Sequence, residues 1–415
     1  MKKFRNPVIM FKISHWLQMF TSFFIVNPIQ FPKGSIKKLF KYFLKNKLID
    51  GSDIIDFEKK FAEYLKVRYA IAVPSARMGL YLILKALKIS KGDEIILSSY
   101  NYRPIPNIIK MIGAKPVFVD VDLETYNIDP KLIEQRITRR TKVIIVTHMQ
   151  GLPCELNSIF KIAKKYNLKL IEDCAHSLGA EYRGRKVGSF GEAGIFSFGT
   201  GKHLYTVDGG MVVTNDNKLS DVIRNELRHF KASTGLKIIK KFISSAILVN
   251  FKNSLFFNLM IHPLILFQSL LNLNFKTQVN DDNETEISKF FRYSNFQAAI
   301  GIQQLKLIES KIKKRIKNAQ ILDRYLNKKI KRQCSSKNIR HVYLNYSIEL
   351  KNRKGIREKL LLRGIYTQNT WMRSCSPNST VSTRLEKNVL YLPIYEILDK
   401  TSIMFIVKTL NKLLN

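Results

Sequence analysis

From about Tyr69 to Asn215 the chain alternates short, β-rich apolar runs with segments of helical period, and nothing else in it narrows the choice of fold as much. "YAIAV" is followed by the helical "MGLYLILKALKI", and then come "DEIILSS", "KPVFVDVD", "TKVIIVTHM", "LKLIEDCA" and "MVVTND". Runs this apolar have no polar face to turn toward water, so each must be covered on both sides, as in a mainly parallel sheet between helices. The expected class is therefore α/β. At 415 residues the chain is too long for one small domain, and its 45% hydrophobic content fills a sizeable core, so a second, smaller domain is expected.

Two segments break the alternation. Residues 237–280 are rich in Phe, Leu and Ile and carry charge only at their edges and at Lys252; the first 33 residues contain no charge between Lys12 and Lys33. Each is long enough for a spanning helix, yet each carries internal Pro, His, Asn, Gln or Ser that a bilayer centre disfavours. The basic start before an apolar run is like a secretion signal, but no small-residue cleavage site follows. An interfacial location is expected instead, with the clusters "KIIKK" and "KKLFKYFLKNK" meeting anionic headgroups; the alternative is that both segments pack on the protein's own core or on a partner copy.

Seventy Lys and Arg against thirty-two Asp and Glu leave a formal charge of +38, a surface that favours anions. A coding bias toward Lys, Asn and Ile would leave the same excess. The basic residues are scattered and form no helix-turn-helix or aromatic–basic RNA pattern, so no specific nucleic-acid partner is expected. Cys154, Cys174, Cys334 and Cys375 show no CxxC spacing. Neither a metal site nor a disulfide scaffold follows, and a cytoplasmic location fits, with the inner face of the membrane as an extension of it.

Three places can carry chemistry. In "YAIAVPSARMGLYLIL" the amides of Ser75, Ala76 and Arg77 fall at a helix N-terminus, whose unpaired donors and positive dipole suit a phosphate; Ser75 reads equally well as a plain N-cap. "LKLIEDCAHSLGA" puts Asp173 at the carboxyl end of a strand, where open α/β sheets bind ligands. There it could keep a ring nitrogen protonated, or simply cap a helix; His176 could bond a cofactor oxygen or pack structurally. "FSFGTGKHLYTVDGGMVVTND" sets Lys202 in a glycine-bearing turn. Away from solvent its neutral amine would be favoured as nucleophile and proton carrier, although a lysine in so basic a chain can also be a solvated surface charge.

The ordered set "PSARMGLY", "GDEIILSSYNYRPIPNIIKMIGAKPVFVDVD", "IEDCAHSLGAEYRGRKVGSFGEAGIFSFGTGKHLYTVDGGMVVTND", "FQAAIGIQQLKLIES" and "NVLYLPIY" resembles the DegT/StrS family of pyridoxal-phosphate sugar aminotransferases, over roughly residues 47–415. The resemblance implies a PLP-dependent transferase fold of type I: a large domain with a mainly parallel seven-stranded sheet, a smaller C-terminal α+β domain, and a homodimer. The division it suggests is 1–46 as a basic, apolar extension, 47–236 as the cofactor-binding domain and 237–288 as an apolar helical insertion that is a candidate membrane contact. Residues 289–320 follow as a linking helical region and 321–415 as the small domain.

By the same resemblance Lys202 matches the lysine that bonds the aldehyde of pyridoxal 5'-phosphate, and Asp173 the partner of its pyridine nitrogen. His176 matches a contact near its phenolic oxygen, Tyr102 the aromatic over its ring, and Ser197 a phosphate-binding serine. Two departures stand out. Ala76 and Arg77 replace the Gly and Thr of the phosphate turn, which leaves backbone amides and the Arg77 charge to hold the phosphate. Phe290 stands where an Asn commonly reaches the neighbouring subunit's cofactor, with Arg292 a nearby substitute.

The implied reaction moves an amino group from an amino acid, L-glutamate by resemblance, to a keto group of a nucleotide-linked sugar or related surface-glycan precursor. Trp371 and Arg373, in "TQNTWMRSCSPNST", are candidate substrate contacts or plain surface residues. The family's sugar dehydratases carry His in place of the lysine; here Lys202 is the aligned residue and His203 comes one later, which favours transamination. A non-catalytic, membrane-associated scaffold on the same fold is the remaining alternative.

Overall fold

The computed structural model describes residues 31–252, 290–334 and 338–414. Among the described residues, two helices precede the first strand. In α1 (Ser35–Leu44), Ser35 and Leu39 are buried, and in α2 (Asp53–Leu65) Phe57, Phe61 and Leu65 recur every four residues and bury one stripe. Seven strands then form the central sheet. They are β1 (Tyr69–Val73), β2 (Glu94–Ser98), β3 (Lys115–Val119), β4 (Thr141–Thr147), β5 (Lys169–Asp173), β6 (Ala193–Ser197) and β7 (Gly210–Thr214). Their spatial order is β1-β7-β6-β5-β4-β2-β3.

Both faces of this sheet are covered, as the apolar runs require. Ile144 and Val146 of β4, Leu170 of β5 and Val213 of β7 pack with Phe57 and Phe61 of α2 and with Ile159 of α5 (Leu156–Lys165). The alternate residues Val143, Ile145, Ile171 and Val212 turn to the other face. There they meet α3 (Ala76–Ala86), α4 (Pro104–Met111) and α6 (Asn217–Arg228) through Ile83, Ile108 and Ile223.

β6 is parallel to β5, β5 to β4, and β4 to β2, while β7 is antiparallel to both β6 and β1. β7 therefore runs against the rest of the sheet, and the carboxyl ends of the other strands line one edge. Register fixes who meets whom there: Thr147 is level with Asp173, Asp173 with Ile195, Ser197 with Gly210, and Gly210 with Val73.

Beyond β7, α7 (Gly235–Lys252) opens the stretch expected as an apolar insertion; the rest of that stretch, and residues 1–30, lie outside the described residues. α1 falls inside the expected N-terminal extension. Its Leu39 shares an apolar cluster with Ile238 and Phe242 of α7 and with Phe296 and Ile300 of α8 (Asn295–Leu305). A capping box between Ser294 and Gln297 starts α8. No helix among the described residues is long and apolar enough to cross a membrane.

After α9 (Ile308–Tyr325) comes a second, antiparallel sheet of β8 (Lys331–Arg332), β9 (Tyr346–Glu349), β10 (Gln368–Asn369) and β11 (Val389–Leu392), in the order β8-β9-β11-β10. Its own core joins Ile348 and Leu390 to Leu322 of α9, Leu360 of α10 (Arg353–Leu361) and Ile406 of α11 (Lys400–Leu414).

Candidate active site

Asp173 ends β5 and is buried. Its Oδ1 accepts a hydrogen bond from Ala175 N at 3.0 Å, and its carbonyl accepts one from His148 N at 3.1 Å. Burial pushes its carboxyl above the usual range, against the pull of the Ala175 N–H and of the Lys202 charge.

Lys202 lies in the loop that joins β6 to β7. Hydrogen bonds from Phe198 N to Gly209 O (2.9 Å) and from Thr206 N to Phe198 O (3.1 Å) close that loop. The side chain is half-buried with its ammonium end enclosed. Desolvation lowers its pKa from 10.5 to about 8, although Asp173 pulls the other way. Lys202 Nζ is 5.9 Å from the centre of the Trp371 ring, and Trp371 meets the buried His176 edge-on at 6.1 Å. Burial and then the Lys202 charge hold His176 well below 6.5, hence neutral, with its Nδ1 accepting from Gln150 N at 3.4 Å.

The other candidates divide. Ser197 ends β6, where its Oγ accepts from Gly199 N at 3.5 Å. Ser75 caps α3, its Oγ accepting from Met78 N at 3.2 Å, and it bridges to Gly209. The first turn of α3, with Ala76 and Arg77, thus lies against the start of β7. A Cβ on Gly210 would fall 2.6 Å from both Ala76 N and Phe196 O, so only bare backbone fits. Tyr102 follows the short strand Tyr100–Asn101 and is half-buried. Residues 373–374 pair with that strand, with Arg373 opposite Asn101, so the Trp371 segment comes back beside Tyr102; the Arg373 guanidinium itself is 3.5 Å from Glu386.

Arg292 lies on the approach to α8. It is 3.9 Å from Asp50, and it lines a cavity of about 420 Å³ between α7 and residues 290–300. The two departures from the family pattern are neighbours, because the Arg77 guanidinium lies over the Phe290 ring.

Two further groups brace the site. Gln150 adopts a left-handed φ of 55°. Its Nε2 donates to Tyr391 Oη at 2.6 Å, its Oε1 accepts from Asn345 Nδ2 at 2.9 Å, and its carbonyl accepts from Leu344 N at 2.8 Å, tying the end of β4 to the second sheet. Glu172, one residue before Asp173, accepts from Gly188 N (2.7 Å), Phe190 N (2.6 Å) and Gly191 N (2.9 Å), and pairs with His148 Nε2 at 3.2 Å. These bonds hold its carboxyl below the usual range although burial opposes them. His148 Nδ1 accepts from Cys154 N at 3.0 Å, so the ring proton sits on Nε2. Glu172, His148 and Cys174 present ligand-type atoms within 4.8 Å of one another, yet the Glu172 and His148 atoms are already committed to hydrogen bonds.

Nothing in the sequence around Gln150 announces its role. Glu172 had a signal, since neighbours in a strand face opposite ways and a second carboxylate beside Asp173 needs its own partners.

These groups fit the phosphorylated pyridine aldehyde implied by the resemblance. A buried carboxylate that makes no ion pair among the described residues suits a ring nitrogen, an enclosed amine near neutrality suits an aldehyde, and the bare backbone where α3 meets Gly210 suits a phosphate.

Comparison with known proteins bears on the whole chain. GDP-perosamine synthase of Escherichia coli O157:H7 is 35% identical over 298 residues, which is 72% of this chain and 70% of that protein. The dTDP-3-amino-3,6-dideoxy-alpha-D-galactopyranose transaminase of Aneurinibacillus thermoaerophilus is 46% identical over 185 residues, and that match spans 44% of this chain and about half (51%) of the relative. Among solved structures, an aminotransferase from Psychrobacter cryohalolentis superposes with a TM-score of 0.74 at 25% identity, covering 94% of this chain and 98% of that one. PseC of Helicobacter pylori, an aminotransferase of pseudoaminic acid biosynthesis, has the same fold at 24% identity and a TM-score of 0.74, with the same coverage. The family pattern matches residues 33–411, so it takes in α1, which the sequence reading had left outside. The chain belongs to the DegT/DnrJ/EryC1/StrS aminotransferase family, whose members use pyridoxal phosphate as cofactor.

Proposed function

We propose that this protein transfers an amino group from an amino acid, L-glutamate in the first instance, to a keto group on a nucleotide-linked sugar. The observation that carries the proposal is the pairing of an enclosed amine, Lys202, lowered to about 8, with the buried carboxylate of Asp173 at the same edge of the sheet. The names of both relatives contain a nucleotide-linked amino sugar, which supports the acceptor class.

In this reading Asp173 holds the cofactor's ring nitrogen in its protonated form, and Tyr102 covers a ring face. His176, neutral, bonds a ring oxygen. The amides at the start of α3, Ser197 and the Arg77 guanidinium hold the phosphate. The cofactor, when bound, supplies an electron-withdrawing ring that stabilises negative charge at the donor's α-carbon. Lys202 Nζ takes the proton from that carbon, a task for which an amine near neutrality is suited. Trp371, against Lys202 and His176, excludes water from the amine. The acting unit we infer is a homodimer, as in the family.

Dehydration is the second reading, and the position of His203 disfavours it. That ring is buried, its Nε2 bonds Val342 O at 3.2 Å, and burial lowers it to about 3, so it is committed to packing. The test is an absorbance spectrum of protein loaded with pyridoxal phosphate, wild type beside Lys202→Ala, before and after L-glutamate. The proposal requires a glutamate-dependent spectral change in the wild type that the variant lacks. A wild-type spectrum indifferent to glutamate and to every other amino donor would sink it.

A further inference from the structure

α1 has two apolar faces. Leu39 faces the core, while Ile36, Phe40, Phe43 and Leu44 recur at i, i+4, i+7 and i+8 and are 52% to 67% exposed. Lys37, Lys41 and Lys45 form a parallel exposed row beside that stripe, and the helix contains no acidic residue. α7 repeats the design: Ile238 and Phe242 are buried, Leu236 and Ile243 are 78% and 46% exposed, and Lys240 is exposed between them. The helices are neighbours, since Leu39, Ile238 and Phe242 share one cluster and a Cβ on Gly235 would lie 3.5 Å from Leu48 Cδ1.

A second apolar stripe on a helix whose first stripe already faces the core does nothing for that core. A stripe edged by lysines, on two adjacent helices without a carboxylate, is the pattern that enters the boundary of an anionic bilayer: the apolar side chains sink to acyl depth while the ammonium groups stay at the phosphates.

We propose that α1 and α7 together form a docking surface for an anionic lipid bilayer, on which the protein lies without spanning it. The charge of the whole chain, +38, favours the same partner over a neutral one. Neither helix supplies a residue to the site built around Lys202, so the docking surface and the aminotransferase reading stand or fall separately.

The test is flotation of the full-length protein with vesicles of phosphatidylcholine, with and without about one third phosphatidylglycerol, at physiological salt. Wild type is expected to float with the anionic vesicles and to stay behind with pure phosphatidylcholine. Phe40→Glu/Leu44→Glu should weaken flotation roughly tenfold or more, and Lys37→Gln/Lys41→Gln/Lys45→Gln should weaken it and flatten its salt dependence. Both sets alter exposed positions, and an unchanged melting temperature and unchanged cofactor binding confirm an intact fold. Wild type left in the soluble fraction would overturn the proposal, as would a glutamate variant that floats like wild type. A glutamate variant that changes the sedimentation coefficient while wild type ignores vesicles would assign the stripe to a second copy of the chain instead.

Discussion

The guanidinium carbon of Arg77 lies 5.9 Å from the centre of the Phe290 ring. Each residue replaces a polar one of the family pattern, and the two replacements meet at the helix end assigned to the phosphate. The ring restrains a guanidinium at the second helical position of α3, where, in the function we propose, its charge would compensate for the missing hydroxyl.

Arg77→Ala should therefore raise the dissociation constant for pyridoxal phosphate by about tenfold or more, the worth of one charge-assisted hydrogen bond. Phe290→Ala, which frees the guanidinium without removing it, should cost only a few-fold, about 1 kcal/mol or less. Fluorescence titration of apoprotein with the cofactor measures both, and equal affinity in wild type and Arg77→Ala would remove Arg77 from the phosphate site.

Lys202 should differ from the surface lysines in its titration. Its pKa of about 8 keeps the neutral amine dominant above that pH, whereas an exposed lysine is neutral only above about 10.4. Trace acetylation of apoprotein, read by mass spectrometry, should rise for Lys202 with a midpoint near 8, about two pH units below an ordinary lysine. In Asp173→Asn the Lys202 midpoint should fall further, because the charge that raises it is gone.

Glu172 and Asp173 are adjacent in β5 yet predict opposite phenotypes. The Glu172 carboxyl is held below its ordinary 4.5, so its stabilisation is fully present above that pH and is lost as pH falls through the lower folded value. Glu172→Gln should lower Tm at neutral pH, by about 2–3 kcal/mol of stability, and flatten the acid limb of the stability curve. Asp173 is held above its ordinary value, so its charge costs stability at neutral pH. Asp173→Asn should leave Tm unchanged or raise it while lowering turnover about a hundredfold or more. Thermal melts from pH 4 to 8, with turnover assayed alongside, separate the two.

Gly210→Ala should damage the cofactor site through the backbone alone. A methyl group there must push Ala76 N or Phe196 O away by several tenths of an ångström, and both are main chain. A destabilisation of about 1–3 kcal/mol together with weaker cofactor binding is expected. A variant that melts and binds like wild type would show that α3 can retreat from the sheet.

Strands such as β1 and β4 were legible because a strand buried on both faces is apolar through its centre, as Ala70–Val73 and Val143–Val146 are. The reversal of β7 was not, since "MVVT" reads the same in either direction. Lys202 and Asp173 were singled out through motifs that are local in sequence. Partnerships between distant segments left no local trace: Gln150 with Asn345 and Tyr391, Trp371 with His176, and Arg77 with Phe290 all depend on the second sheet or the α8 region closing over the first. Arg292, named for a contact reaching the neighbouring subunit, lies 3.9 Å from Asp50 of its own chain.

Because β7 turns back beside β6, the chain leaves the active site at the edge where it entered, and the Lys202 loop is stitched shut by its own main-chain bonds. The amine to which we assign the proton transfer is thus carried by an exchangeable cassette. The register of the sheet is set by apolar residues on either side of it, and that register survives whatever side chain stands at position 202. Selection can alter the chemistry there, or silence it, without asking the scaffold to fold differently.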